Sequence, residues 1–259
     1  MIRLAANLTM LFQDLPFLDR IDAAAAAGFK AIECVEPYVA PEDEIVSRMK
    51  RLGLEFALFN TPPGDWAAGD RGTGANPARQ DEFIAGIDTA LRYALATGTK
   101  VVHVMAGKIT ADADRAVWTA TLVDNVRHAA DTFAPHGITA VLEPINTRDI
   151  PGYFYSTTAQ VLEVIDAAGR SNVKLLYDIY HMQIMEGDLA RTIERLLPRI
   201  GHIQLADNPG RHEPGTGEIN YPWLLAHIDR LGYAGWIGCE YAPLGDTFAG
   251  LGWTTPYLD

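Results

Sequence analysis

Short apolar runs alternate along the chain with longer stretches of helical period. Eight of the runs read as strands: Ile2 to Ala6, Ala31 to Val35, Glu55 to Phe59, Val101 to Met105, Thr139 to Leu142, Val173 to Tyr177, His202 to Leu205 and Trp236 to Cys239. The stretches between them place apolar residues three and four apart, which predicts helices over Leu15 to Ala27, Glu42 to Leu52, Pro77 to Thr97, Asp114 to Phe133, Thr158 to Ala168 and Gly187 to Leu197. Thr157 and Thr158 supply cap hydroxyls, and Gly28, Gly53, Gly98, Gly137, Gly169 and Gly232 follow helical runs where a left-handed residue ends a helix. Eight strand-helix units in 259 residues imply an α/β fold, a closed (β/α)8 TIM barrel filling a single domain, 1–259. An open dinucleotide-binding sheet would carry a glycine fingerprint after its first strand, and Ala5-Ala6-Asn7-Leu8 has none.

In such a barrel the chemistry sits at the carboxyl ends of the strands. Those ends carry Asn7, Glu33 or Glu36, Asn60, His103, Glu143, Asp178, Gln204 and Glu240. Glu143, Asp178, Gln204 and Glu240 close four of the last strands, and each would cost free energy if buried alone. Taken singly, Glu143 is also an ordinary strand-end glutamate before Pro144, and Asp178 an ordinary helix cap or loop aspartate. Together they form three carboxylates and an amide oxygen, a donor set for Mg²⁺ or Mn²⁺ rather than zinc. Glu143 and Glu240 are the candidate acid/base pair.

Three histidines lie near these ends. His181, three residues beyond Asp178, is placed to donate to a substrate oxygen or to cap the helix that follows. His202 shares a strand face with Gln204 and equally well fills the interior, and His103 alternates with apolar neighbours as a core histidine does. Arg211 follows a turn-rich loop and suits a bidentate grip on a carboxylate, with Arg71 and Lys108 as rival anion holders. Trp66 and Phe12 either shield the site or pack a loop.

Charge narrows the partners. Lysine and arginine total 21 against 33 acidic residues, a net −12 that repels nucleic-acid phosphates and anionic membranes. A small anionic substrate stays compatible with that field, because local cations dominate at short range. Cys34 and Cys239 fall inside apolar runs as two separate thiols of a reducing compartment, and neither a leader nor a membrane-length apolar window is present. The expected location is cytoplasmic. The aromatic segment from Gly250 to Tyr257 fits docking on its own barrel or on a second subunit of a homo-oligomer.

The motifs Phe59-Asn-Thr-Pro-Pro-Gly-Asp-Trp66, Leu142-Glu143-Pro-Ile-Asn146, Tyr177-Asp178-Ile-Tyr-His181, Gln204-Leu-Ala-Asp-Asn-Pro-Gly-Arg211 with Gly215-Thr-Gly-Glu218, and Gly238-Cys-Glu240-Tyr resemble the hydroxypyruvate isomerase family of the xylose-isomerase-like barrels. The resemblance covers essentially the whole chain. It implies that Glu143, Asp178, Gln204 and Glu240 bind a divalent metal, that Glu143 and Glu240 move the proton, and that His181 and Arg211 touch substrate. The related ketose epimerases usually carry histidine where Gln204 stands, so the resemblance favours a hydroxyacid over a free sugar.

The implied reaction interconverts hydroxypyruvate and 2-hydroxy-3-oxopropanoate. The rival substrate is the four-carbon 2-oxotetronate. A barrel endonuclease would need a histidine-rich multi-metal site and a basic groove, whereas the seven histidines here are dispersed and the net charge is −12. A non-catalytic sugar-acid binder would not need an acid/base pair.

Overall fold

The computed structural model describes residues 1–258. Eight parallel strands close into a barrel in chain order: β1 (Arg3–Asn7), β2 (Ala31–Cys34), β3 (Glu55–Asn60), β4 (Val101–His103), β5 (Thr139–Leu142), β6 (Val173–Asp178), β7 (Ile200–Leu205) and β8 (Trp236–Cys239). β8 closes on β1 through pairs running from Arg3↔Trp236 to Ala6↔Cys239. The helices outside are α1 (Phe17–Ala26), α2 (Glu42–Leu52), α3 (Gln80–Thr97), α4 (Arg115–Phe133), α5 (Thr158–Ala168), α6 (Ile179–Met185), α7 (Leu189–Leu196) and α8 (Tyr221–Arg230), with a short final turn α9 (Thr247–Gly250).

The pattern of apolar runs finds every strand, and its misses have local causes. β4 stops at His103 rather than Met105, because the Met105 amide leaves the ladder to donate to the Thr61 hydroxyl at 3.2 Å. Pro77 opens a 3-10 turn, so the regular helix begins only at Gln80. α5 starts where its cap threonine predicts: Thr157 accepts from the Gln160 amide while the Gln160 side chain accepts from the Thr157 amide. α6 and α8 are additions to the expected set. α6 is a seven-residue helix launched directly by Asp178, too short to show a clear period.

Most of the core lies between strands and helices. Inside the barrel, small apolar groups fill the lower layers, with Ala5, Ala31 and Ala57 in one cluster and Leu58, Val141 and Leu176 in another. Strand side chains alternate, so the next inward position on each strand lies two residues on. Above Ala5 comes Asn7, above Ala31 Glu33, above Leu58 Asn60, and above Val101 His103; Val141, Leu176, His202 and Gly238 are followed by Glu143, Asp178, Gln204 and Glu240. The barrel thus changes from mainly apolar to polar toward the end where the loops hang, with His202 already polar in the lower set and the Glu33 carboxylate reaching down to the level of His202 and Gly238.

The carboxyl-terminal segment packs on its own barrel. The Trp253 indole donates to the Tyr241 hydroxyl at 3.3 Å, and Leu251 and Thr254 are buried. No helix among the described residues is long and apolar enough to cross a membrane.

Candidate active site

The polar layer lines a cavity of about 440 Å³ at the barrel mouth, walled by Glu143, Glu240, His103, His181, Arg211, Arg71 and Trp66 among others. Glu143 and Glu240 each stand one residue beyond a strand, β5 and β8, while Asp178 ends β6 in direct register with Gln204, the last residue but one of β7. One donor atom from each of Glu143, Asp178, His181 and Glu240 falls within 4.8 Å of the others. Like charges so close resist ionisation together.

Asp178 plays two parts at once. Its Oδ1 accepts from the Tyr180 and His181 amides at 2.7 and 3.4 Å, capping α6, and its Oδ2 is buried without a hydrogen-bond partner. Glu143 Oε1 and Gln204 Oε1 are unpartnered in the same way. Gln204 turns its Nε2 away to donate to Glu33 at 2.8 Å, which leaves the carbonyl oxygen free. Three orphaned buried oxygens, with Glu240 beside them, fit a divalent oxygen-seeking cation. Glu143, Asp178, Gln204 and Glu240 are therefore able to hold one.

His181 is set as a donor rather than a metal ligand. Asn146 Oδ1 accepts from the Arg148 and Asp149 amides, so its Nδ2 must donate to His181 Nδ1, at 2.6 Å. In the neutral ring that places the proton on Nε2, which lies 3.5 Å from Glu143 and 3.6 Å from Asp178. Burial, with the Arg211 charge next, holds His181 well below its ordinary value and keeps the ring neutral. Asn146 itself carries no distinguishing signal in the sequence beyond following Glu143 by three.

The carboxylates are perturbed in the opposite direction. Burial, then the charges of Glu240 and Asp178, pushes Glu143 well above the usual carboxylate range. Burial pushes Glu240 up to about 8 against the pull of Arg211, and Asp178 up to about 6 against the same pull. The group as a whole retains protons near neutrality when no cation is bound.

Other expected residues are distributed unevenly. Arg211 enters the site with a left-handed backbone, φ +56°, and its Nη2 donates to Glu240 Oε2 at 2.7 Å while Nη1 donates to Asp149 at 3.3 Å. Arg71 lies with its guanidinium 3.7 Å above the Trp66 ring, half-buried at the cavity wall, and forms no ion pair within 4.0 Å among the described residues. Lys108 is exposed, pairing its backbone with Tyr153 away from the cavity. Phe12 is buried against Phe248 as loop packing, whereas Trp66 lines the cavity.

His103 belongs to the cavity wall, with Nδ1 3.5 Å from Glu143 Oε2, and burial pulls it down to about 3. In the sequence His103 stands at a strand end among apolar neighbours, and its alternation with Val101 gives no sign of the glutamate opposite. His202 is interior, 2.7 Å from Glu33 Oε2. Of the two glutamates after β2's start, Glu33 is the one directed inward.

Residues 21–257 match the family model described as xylose isomerase-like TIM barrel. Over the whole chain and 99% of the relative, 50% of residues are identical to a 2-oxo-tetronate isomerase of Cupriavidus necator. A hydroxypyruvate isomerase of Escherichia coli is 46% identical over 99% of this chain and all of its own. A crystal structure described as an AP endonuclease, family 2, from Brucella melitensis superposes with a TM-score of 0.97 at 47% identity, each chain covered completely.

Proposed function

We propose that this chain, an isomerase belonging to the xylose isomerase-like TIM barrel family, moves a carbonyl between C2 and C3 of a short 3-hydroxy-2-oxo acid. Hydroxypyruvate, yielding 2-hydroxy-3-oxopropanoate, is the smallest such substrate. The observation that carries this reading is the convergence of Glu143 and Glu240 on one cavity with the orphaned oxygens of Asp178 and Gln204.

The difficulty of the reaction is the proton next to the carbonyl, because the enediolate left behind is strongly basic. Glu143 and Glu240 share a cluster whose protons are held near neutrality, so one is available as base and its partner as acid. One glutamate takes the proton from C3 and the pair returns a proton at C2, while the C3 hydroxyl gives up its proton and the C2 oxygen gains one, so that the carbonyl passes to C3. Glu143, Asp178, Gln204 and Glu240 would hold a Mg²⁺ or Mn²⁺ ion, which would supply Lewis-acid stabilisation of the developing negative charge.

His181 Nε2–H donates to a substrate oxygen, its direction fixed by Asn146. Arg211 is committed to Glu240 and Asp149, so its first task is to orient Glu240. Arg71, stacked on Trp66 and free of carboxylate partners within 4.0 Å, is the better grip for the substrate carboxylate. Trp66 shields that ion pair from water.

The four-carbon acid 2-oxotetronate is the second reading, favoured by the 50% identical relative of that name. It undergoes the same proton transfer with a hydroxymethyl group on C3. A damaged-DNA endonuclease finds less support: the net charge is −12, and the cavity residues form a single carboxylate-centred cluster. Turnover of the two oxo acids, measured side by side in Mg²⁺, in Mn²⁺ and after chelation, tests the assignment. Metal-dependent turnover of either acid supports it, the higher kcat/KM naming the substrate. No turnover of either in any condition would remove it.

A further inference from the structure

Below the orphaned oxygens lies a second polar cluster that the proton transfer does not use. Glu33, on β2, is fully buried and accepts three hydrogen bonds: from Asn7 Nδ2 at 2.9 Å, His202 Nε2 at 2.7 Å and Gln204 Nε2 at 2.8 Å. The barrel makes room for it at Gly238, where a Cβ would fall 2.2 Å from both Glu33 carboxylate oxygens. A buried carboxylate given three donors and a vacated strand position is a built feature.

The consequence falls on Gln204. A side-chain amide has one accepting end and one donating end, and a carboxylate can only accept from it. Glu33 therefore captures Nε2 and leaves Oε1 buried without a hydrogen-bond partner, free to serve as a ligand. Without that partner the amide gains freedom to turn, and the turned form would present two N–H groups to a cation. Asn7 extends the restraint. Its Oδ1 accepts from the Thr9 amide at 3.0 Å, so its Nδ2 reaches both Glu33 and, at 3.3 Å, Glu240 Oε1. One carboxylate thus steers two of the four candidate metal ligands.

We infer that Glu33 is a positioning residue for the metal site, orienting Gln204 oxygen-first and, through Asn7, steadying Glu240. The inference rests on the metal-assisted reading above. Outer-shell partners of this kind typically change metal affinity about 10–100-fold when removed.

The test is Mn²⁺ affinity of chelator-stripped, full-length protein, read from the electron paramagnetic resonance signal of free Mn²⁺, with circular dichroism confirming the fold. Glu33→Gln is expected to bind Mn²⁺ about 10–100-fold more weakly than the wild type. Adding Gln204→Glu to that variant reverses the pair: the new amide donates upward, and the new carboxylate keeps an oxygen toward the cation. Affinity should then recover by at least tenfold, which a general loosening of the barrel would not allow. Should Glu33→Gln fail to fold, Glu33→Asp withdraws the acceptor from Gln204 while keeping its charge, and the same loss is expected. Unchanged affinity in whichever variant folds, or no recovery in the double variant, would overturn the inference while leaving the metal reading intact. No Mn²⁺ binding by the wild type would overturn both.

Discussion

Two carboxylate clusters lie one above the other in this barrel, and they are built on opposite principles. Around Glu33 every oxygen has a donor, and the neighbouring Gly238 is emptied of a side chain to admit it. Around Glu143 and Asp178, equally buried, one oxygen of each is left without a hydrogen bond, as is Gln204 Oε1. Burying a polar group unpaired costs roughly 1–3 kcal/mol. A fold that satisfies one cluster and starves the other beside it has reserved the second for a partner from outside. The satisfied layer specifies geometry, and the starved layer performs chemistry.

The sharpest way to separate the layers is to remove charge from each. Glu240→Gln should cost about 10²–10⁴-fold in kcat, the usual range for a positioned acid/base group, with the circular dichroism of the fold unchanged. Glu143→Gln should abolish solvent deuterium incorporation into substrate as well as turnover. Near-normal exchange in the Glu143 variant would take it out of the proton transfer.

The second expected effect is in stability and belongs to the lower layer. Gly238→Ala drives a methyl group into the Glu33 carboxylate, and overpacking of this kind costs about 1–3 kcal/mol. Denaturant midpoints should show the loss, and pairing the substitution with Glu33→Ala should restore part of it. If Gly238→Ala alone were neutral, the lower layer would be softer than its hydrogen bonds imply.

Much of the upper layer was legible in the sequence because its residues share a position: each follows another inward-facing position by two, at or next to a strand end. Glu33 was visible only as one of two glutamates, since nothing in Ala-Ile-Glu-Cys says which neighbour will donate to it. The signal for the lower layer was Gly238, a glycine inside a strand, whose meaning depends on a residue 205 positions away. Asn146 was missed, and His103 was seen at its strand end without its partner, for the same reason: the groups they meet, His181 and Glu143, belong to other strand-helix units, and contacts between units are not set by local spacing. α6 escaped because Asp178 is at once strand end, cap and site residue, leaving no separate start signal.

Proton binding offers a finer comparison. With no cation bound, Asp178 and Glu240 are held near about 6 and about 8, above their unfolded values, so the folded state keeps protons that the unfolded chain releases. Their contribution to stability is present at low pH and lost as pH rises through those values. The depressed histidines act in the opposite sense, but only below their ordinary value of 6.5, as the unfolded chain takes up protons there. Between pH 6.5 and 8.5 the carboxylates therefore act alone among these groups. The chelated protein should melt at falling temperature across that window, and Mn²⁺ should flatten the slope. A slope unaffected by Mn²⁺ would detach these carboxylates from cation binding.

The smallest expected effect distinguishes two arginines at the rim. Arg211 is tied to Glu240 at 2.7 Å and to Asp149 at 3.3 Å, whereas Arg71 offers its charge from the face of Trp66. If Arg71 holds the substrate carboxylate, Arg71→Lys should raise KM about tenfold, some 1.4 kcal/mol, with kcat little changed, because lysine loses the forked geometry. Arg211→Lys should instead lower kcat and move the pH profile, since it releases Glu240 from its cation. Lys108→Ala, away from the cavity, should alter neither constant. A rise in KM confined to the Arg211 variant would exchange the two roles, leaving Arg71 as the support of Trp66 and making Arg211 the one arginine that serves both glutamate and substrate.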